Sequence, residues 1–292
     1  MLERLIYADW ETPPEAMAFE APLGELLERI RALLAEVLAG RDAALADPAT
    51  TAPAYWDACL NLYLVTPALV NVALNYKICV EQGLPLHPTH YFEVSERTRF
   101  KKQYPPAVVA GANERFLASI ATARAIYALD PEAPSILDGF RRDLPWILHE
   151  FIYASTKDKY TWRASDPRKI ASLATQVQRA LQPAVIVGAA HGSIMSGLVF
   201  ANLMAAPLYF IRFSMFKRKD LAPIIAASDL AFLRPYAAGP ALLFDEDVAK
   251  GTTLTGFGAA LRPLFRASST ASVLRHSLSP CWPDFTGHAW ND

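Results

Sequence analysis

Apolar residues in the first half of the chain recur at helical spacing. Leu23, Leu26, Leu27, Ile30, Leu33, Leu34, Val37 and Leu38 return every three or four positions and line one face of an amphipathic helix. Pro22 is placed to open that helix and Gly40 to close it. Residues 55–77 are apolar on most sides, which predicts a buried helical segment broken near Pro67. Residues 112–129 predict another helix with Phe116, Leu117, Ile120 and Tyr127 inward, and residues 144–153 a short one. Between residues 83 and 106 the period is lost. The cations Arg97, Arg99, Lys101 and Lys102 fall there, either on a solvated loop or on an anion- or partner-binding surface.

Near Asp166 the pattern changes. Asp166 suits an N-cap and Pro167 a first helical residue, and Ile170, Leu173, Ala174, Val177 and Leu181 then mark a helix ending before Pro183. Short, unalternating apolar runs follow at 184–190, 208–213, 240–244 and 272–277, with helices expected from Ser193 and Thr252. Strands of that kind fit a parallel sheet covered on both faces. The expected fold is α/β, an open doubly wound, mainly parallel sheet over residues 165–292, preceded by an α-helical domain over residues 1–160. Residues 193–211 are long enough to span a membrane, but Asn202 and Pro207 divide them more naturally into helix, turn and strand.

Composition narrows the function. A net charge of -1 over 292 residues leaves no global field for nucleic acid or an acidic membrane, so neither is expected as a partner and anion binding must be local. Cys59, Cys79 and Cys281 are far apart and odd in number, which gives neither a disulfide framework nor a metal spacing and suits the cytoplasm. The first residues carry acids and no long apolar run, unlike a secretory signal. His87 and His90 share a loop without a clear third ligand.

The chemistry concentrates in residues 242–253, LLFDEDVAKGTT. Leu242, Leu243 and Phe244 read as a buried strand end, Asp245 and Glu246 follow at once, and Asp247, Val248, Ala249, Lys250, Gly251, Thr252 and Thr253 lead into a helix. Ligands of open α/β sheets bind beyond the carboxyl ends of strands. A tight loop there aims backbone N–H groups and the positive end of a helix dipole at one spot, which makes a phosphate cradle. Gly251 lets the chain turn, the threonines add hydroxyls, and the acids suit vicinal ribose hydroxyls or a substrate-held Mg²⁺. A Walker A loop is excluded because Lys250 precedes Gly251 and the upstream glycine is missing. The plainer alternative is a strand, turn and helix with solvated acids.

This segment resembles the phosphoribosyltransferase family, whose signature is an apolar run, two acids, two mostly apolar residues, two small or polar residues, Gly, a variable residue and Ser or Thr. Asp247 stands at a usually apolar place, and Ala249 and Lys250 where hydroxyl residues are common. The resemblance, confined to the C-terminal half, implies transfer of ribose 5-phosphate from phosphoribosyl pyrophosphate (PRPP) to a nitrogenous base or similar small acceptor, with release of pyrophosphate. It implies Mg²⁺, a catalytic set of Asp245, Glu246 and His191 in which the two acids hold the metal directly or through substrate, and a phosphate loop of Val248, Ala249, Lys250, Gly251, Thr252 and Thr253. It further implies a pyrophosphate loop with Ala190, His191 and Gly192, where His191 stands in for a cation, and a basic closing loop with Lys217, Arg218 and Lys219. Trp282, Asp284 and Phe285 are the candidates for a hood over the acceptor. The alternatives are a non-catalytic PRPP- or nucleotide-binding regulator and a nucleotide-modifying domain with the helical half as effector. That half is free to supply part of the hood, a homodimer interface or a partner surface.

Overall fold

The computed structural model describes residues 1–215 and 219–290, which form two compact units. The first takes residues 1–9 and 14–157, the second residues 10–13 and 158–292.

The first unit is helical. It holds α1 (Leu23–Ala46), α2 (Pro53–Val65), α3 (Pro67–Glu81), α4 (Arg97–Phe100), α5 (Pro106–Ala128), α6 (Ala133–Arg142) and α7 (Trp146–His149). A two-stranded antiparallel sheet, β1 (Phe19–Pro22) with β2 (Ile152–Ser155), ties its ends together. The break expected near Pro67 separates α2 from α3. By length and composition the stretch Pro53–Glu81 could cross a membrane, yet 78% of its most apolar window is buried among other helices. α1 does not stop at Gly40. The Tyr55 ring lies where a Gly40 side chain would be, and its hydroxyl donates to the Val37 carbonyl at 3.0 Å. Gly40 therefore serves packing, not termination. Leu117 is only half-buried, whereas Phe116, Ile120 and Tyr127 are core.

The second unit runs α8 (Lys159–Ala164), α9 (Pro167–Ala180), β3 (Val185–Ala190), α10 (Ile194–Met204), β4 (Leu208–Arg212), α11 (Ala227–Leu233), β5 (Pro240–Val248), α12 (Thr252–Leu261), β6 (Ala267–His276) and β7 (Phe285–Trp290). Asp166 caps α9 by accepting from the Arg168 N–H at 3.0 Å. Ala205, left-handed at φ 49°, ends α10 and sends the chain into β4, so residues 193–211 are a helix, a turn and a buried strand.

All five strands are parallel, in the order β4-β3-β5-β6-β7. From β3 the chain steps one way to β4, then crosses back to β5 and proceeds the other way. Right-handed crossovers then place α10 and α12 on opposite faces, as in a doubly wound sheet. The order reverses between β3 and β5, the kind of switch point beyond whose strand ends open α/β sheets bind their ligands.

Two strands depart from the sequence expectation. β5 does not end at Phe244 but carries its acids to Val248, paired there with β6 alone, because the β3 register stops at Gly188 and Phe244. The tail is not a free aromatic segment: residues 285–290 form the edge strand β7.

Candidate active site

The acids sit on the β5 extension at the switch point. Asp245 is 5% exposed, and Glu246 and Asp247 are half-buried. Side chains alternate along a strand, so Asp245 and Asp247 share one face and Glu246 takes the other. Phe244, two residues before Glu246, stacks on Phe200 of α10 with ring centroids 5.3 Å apart, which identifies that second face as the α10 side. Glu246 lies over Gly192, where a Cβ would fall on its carboxylate. Gly192 thus admits an acid to the amino end of α10, where the helix dipole favours negative charge.

No basic side chain pairs with Asp245 or Glu246 among the described residues. Burial is the main reason the Asp245 carboxyl is pushed up to about 7, reinforced by the Asp247 charge and opposed by hydrogen bonding to Glu246. Glu246 is raised well above the ordinary carboxylate range by burial first, then by the charge of Asp245 and its hydrogen bond. This is a pocket of oxygen acceptors short of donors or positive charge.

The chain then bends into α12. Gly251 is left-handed at φ 74° and ψ 6°, and no side chain caps the helix. The first intrahelical bond runs from the Thr255 N–H to the Gly251 carbonyl at 2.9 Å, so the N–H groups of Thr252, Thr253 and Leu254 precede the ladder. Ala249, Lys250 and Thr252 are exposed, Thr253 is half-buried and Val248 is core. Among the described residues neither threonine hydroxyl nor Lys250 Nζ has a side-chain partner. Gly251 packs on Cys281, whose Sγ accepts from the Thr255 hydroxyl at 3.9 Å.

At the end of β3, Ala190 is buried and the Ala190–His191 peptide is cis. The Ser193 hydroxyl donates to the Ala189 carbonyl at 2.7 Å, and the Phe213 N–H to the Ala190 carbonyl at 2.9 Å. His191 follows, with both ring nitrogens shielded from solvent.

The described residues on either side of the basic segment after β4 are tied together. Arg212 donates from Nε and Nη2 to Asp220 at 3.1 and 2.7 Å, and the Ser214 N–H donates to the same carboxylate at 2.8 Å. Lys219 is exposed at φ 56°, while Lys217 and Arg218 lie outside the described residues. Arg212→Met would strand the buried Asp220 and is expected to destabilise the protein by about 3–5 kcal/mol in urea denaturation. A loss below about 1 kcal/mol would mean that Asp220 reaches water once its partner is gone.

The hood residues are placed differently from the sequence expectation. Asp284 Oδ2 accepts from the Thr270 N–H at 2.7 Å and the Thr270 hydroxyl at 2.9 Å, which ties one carboxylate oxygen to the start of β7. Phe285 is the first residue of β7, paired with Ala271 in the sheet. Trp282 is 77% exposed, with the Arg275 guanidinium 3.3 Å from its ring centroid. Arg275 also donates to the carbonyls of Cys281 and Ser279 at 2.9 and 2.6 Å, which holds the β6–β7 loop against Gly251.

One constellation was missed. Asp247 accepts or shares a proton with His276 Nε2 at 3.0 Å, and the His276 ring is flanked by Trp290 at 4.9 Å and Tyr160 at 5.2 Å. The Asp at an apolar place in the motif is thus held by a histidine 29 positions downstream. Only the register of β5 against β6 brings the two together.

No protein-family model matches the chain, and no curated protein does. Solved phosphoribosyltransferases match its C-terminal half. The purine phosphoribosyltransferase of Pyrococcus horikoshii Ot3 is 20% identical, covering 44% of this chain and 86% of its own, with a TM-score of 0.36. A hypothetical protein of Neisseria gonorrhoeae, solved with bound ppGpp, is 14% identical over 44% of this chain and 80% of its own, with a TM-score of 0.36. The hypoxanthine phosphoribosyltransferase of Trypanosoma cruzi, in complex with the product IMP, is 14% identical over 44% and 77%, with a TM-score of 0.35.

Proposed function

We propose that the second unit is a phosphoribosyltransferase that moves ribose 5-phosphate from PRPP to a small nitrogenous acceptor and releases pyrophosphate. One observation carries the reading. Two adjacent acids, Asp245 buried and Glu246 half-buried, with no basic partner among the described residues, stand at the topological switch point and run directly into a glycine-led, uncapped helix start. That pairs acceptors for ribose hydroxyls with donors for a 5′-phosphate.

In this reading Asp245 and Glu246 accept hydrogen bonds from the two ribose hydroxyls and stabilise positive charge developing at the anomeric carbon. The N–H groups and hydroxyls of Thr252 and Thr253 take the 5′-phosphate, with Lys250 as its cation. Residues 190–192 would meet the leaving pyrophosphate, with Lys219 as a nearby candidate cation; Lys217 and Arg218, the other basic candidates, lie outside the described residues. The all-oxygen donor set and the missing counter-charge fit Mg²⁺. No group of three protein ligands gathers among the described residues, so Asp245 and Glu246 would hold the ion together with substrate oxygens. When bound, Mg²⁺ would neutralise pyrophosphate charge.

A second reading, a non-catalytic PRPP or nucleotide sensor, is favoured by Ala249 and Lys250, which remove side-chain hydroxyls from the phosphate loop. Incubation with PRPP, Mg²⁺ and a panel of nucleobases, followed by pyrophosphate measurement, separates the two. Pyrophosphate that appears only with one acceptor supports transfer. Saturable PRPP binding without release supports the sensor, and no binding refutes both.

A further inference from the structure

The helical unit has a cavity of about 570 Å³ where the end of α3 meets the strand-like return from α4 into α5. Arg97, Lys101 and Lys102 all line it. None of the three pairs with a carboxylate among the described residues. The one acid in the lining, Glu81, is committed to Lys77 at 2.7 Å, with both side chains nearly sealed from solvent at 6% and 2% exposure. The cavity therefore carries three uncompensated positive charges.

These cations start from a fixed backbone. Gly83 is left-handed at φ 67°, and a Cβ there would stand 2.6 Å from the Lys102 carbonyl oxygen. The Lys102 N–H donates to the Gly83 carbonyl at 2.9 Å, so the segment carrying both lysines is strapped to the end of α3. Arg97 donates to Gln82 Oε1 at 3.3 Å, a neutral partner that orients the guanidinium without cancelling its charge. Lys102 Nζ rests 5.0 Å from the Tyr104 ring centroid, and the Tyr104 hydroxyl is anchored on the Leu84 carbonyl at 2.7 Å. All three cations are exposed, so water screens their mutual repulsion, and an anion carrying several charges gains from all of them at once. The volume is that of a small-molecule site.

We infer that this cavity is a second anion site, separate from the acids of β5, and that it takes a ligand with adjacent phosphate groups such as pyrophosphate or a nucleoside diphosphate. Three cations and the neighbouring amide side chains match several phosphate oxygens better than one carboxylate.

Hydrogen exchange of the intact protein, read by mass spectrometry, tests this with inorganic pyrophosphate, ADP and sodium chloride at matched ionic strength. Pyrophosphate is expected to slow exchange in peptides spanning residues 80–109. The triple substitution Arg97→Gln, Lys101→Gln, Lys102→Gln is expected to weaken that response by roughly tenfold or more while leaving the rest of the map unchanged. Equal responses to pyrophosphate and ADP would show that the phosphates alone are read; a stronger ADP response would add contacts to the nucleoside. No protection at millimolar pyrophosphate, the same protection with chloride, or an unaltered response in the triple variant would overturn the inference. If the triple variant also unfolds, Gln103→Glu, which adds one acid to the lining, must weaken the response instead. Peptides over residues 245–255 report on the PRPP site separately, so either site can fail alone.

Discussion

Replacing Asp245 by Asn and Glu246 by Gln together is expected to abolish transfer and, above about pH 7, to make the ligand-free protein more stable. Both effects come from the same burial. In the proposed reaction each carboxylate would offer charge-assisted hydrogen bonds to a ribose hydroxyl, and losing two such contacts would lower turnover by roughly 100- to 10,000-fold. The amides keep the shape and remove the repulsion.

The sign of the pH effect follows from the raised carboxyls. Asp245 titrates near 7 in the folded protein against an ordinary value of 3.8. Between about pH 4 and about pH 7 the native state therefore holds a proton that the unfolded chain has released, and stability falls as pH rises through that window. The contribution is complete below about pH 4 and lost above about pH 7, on the order of a few kcal/mol with Glu246 acting in the same direction. Urea denaturation should give a declining stability for the natural protein and a flatter line for the double variant. PRPP with Mg²⁺ should bind more tightly as pH rises, since it selects the ionised pair. A double variant that is no more stable than the natural protein at pH 8 would show that water or ions already relieve the acids. Retained turnover would remove them from the mechanism.

The sequence carried the outline of the second unit because its signals are local. Asp166 and Pro167 mark the start of α9, Pro207 separates α10 from β4, and three apolar residues before two acids mark the end of a buried strand. What it hid depends on contacts distant in the chain. Nothing near Gly40 announces that Tyr55 will lie on it, so a glycine that packs was read as one that stops a helix. Asp245 to Asp247 look like the opening of a loop because acids are poor strand formers, and only pairing with β6 keeps them extended. Phe285 to Trp290 mix aromatic, small and polar residues because β7 is an edge strand with one half-exposed face, so no continuous apolar run appears. Asp284 and Asp247 were both visible as acids near a site. That Thr270 takes Asp284 and His276 takes Asp247 is decided by strand register. The Arg212–Asp220 pair frames the basic loop, and its eight-residue spacing has no periodic signature.

Gly251 is the position in the proposed phosphate loop where a single side chain should do most damage, and Gly251→Val is expected to destabilise the protein by about 2–5 kcal/mol and weaken PRPP binding by roughly 100-fold or more. Two independent terms add. At φ 74° a branched residue meets its own backbone, which costs about 1–2 kcal/mol. A Cβ at this position would also fall on Cys281, whose loop is held by two Arg275 hydrogen bonds and cannot simply swing away, so overpacking contributes about 1–3 kcal/mol. The binding loss arises because relieving either strain rotates the Thr252 and Thr253 N–H groups away from their common focus. The two terms separate in a milder pair. Gly251→Ala should lose both stability and binding, and adding Cys281→Gly should restore the packing part of the stability while leaving the left-handed strain in place. PRPP titration beside urea denaturation reads the two. Natural affinity in Gly251→Ala would mean that the 5′-phosphate is not held by the backbone at the start of α12, and the cradle would then have to be sought in Lys250 and the threonine hydroxyls alone.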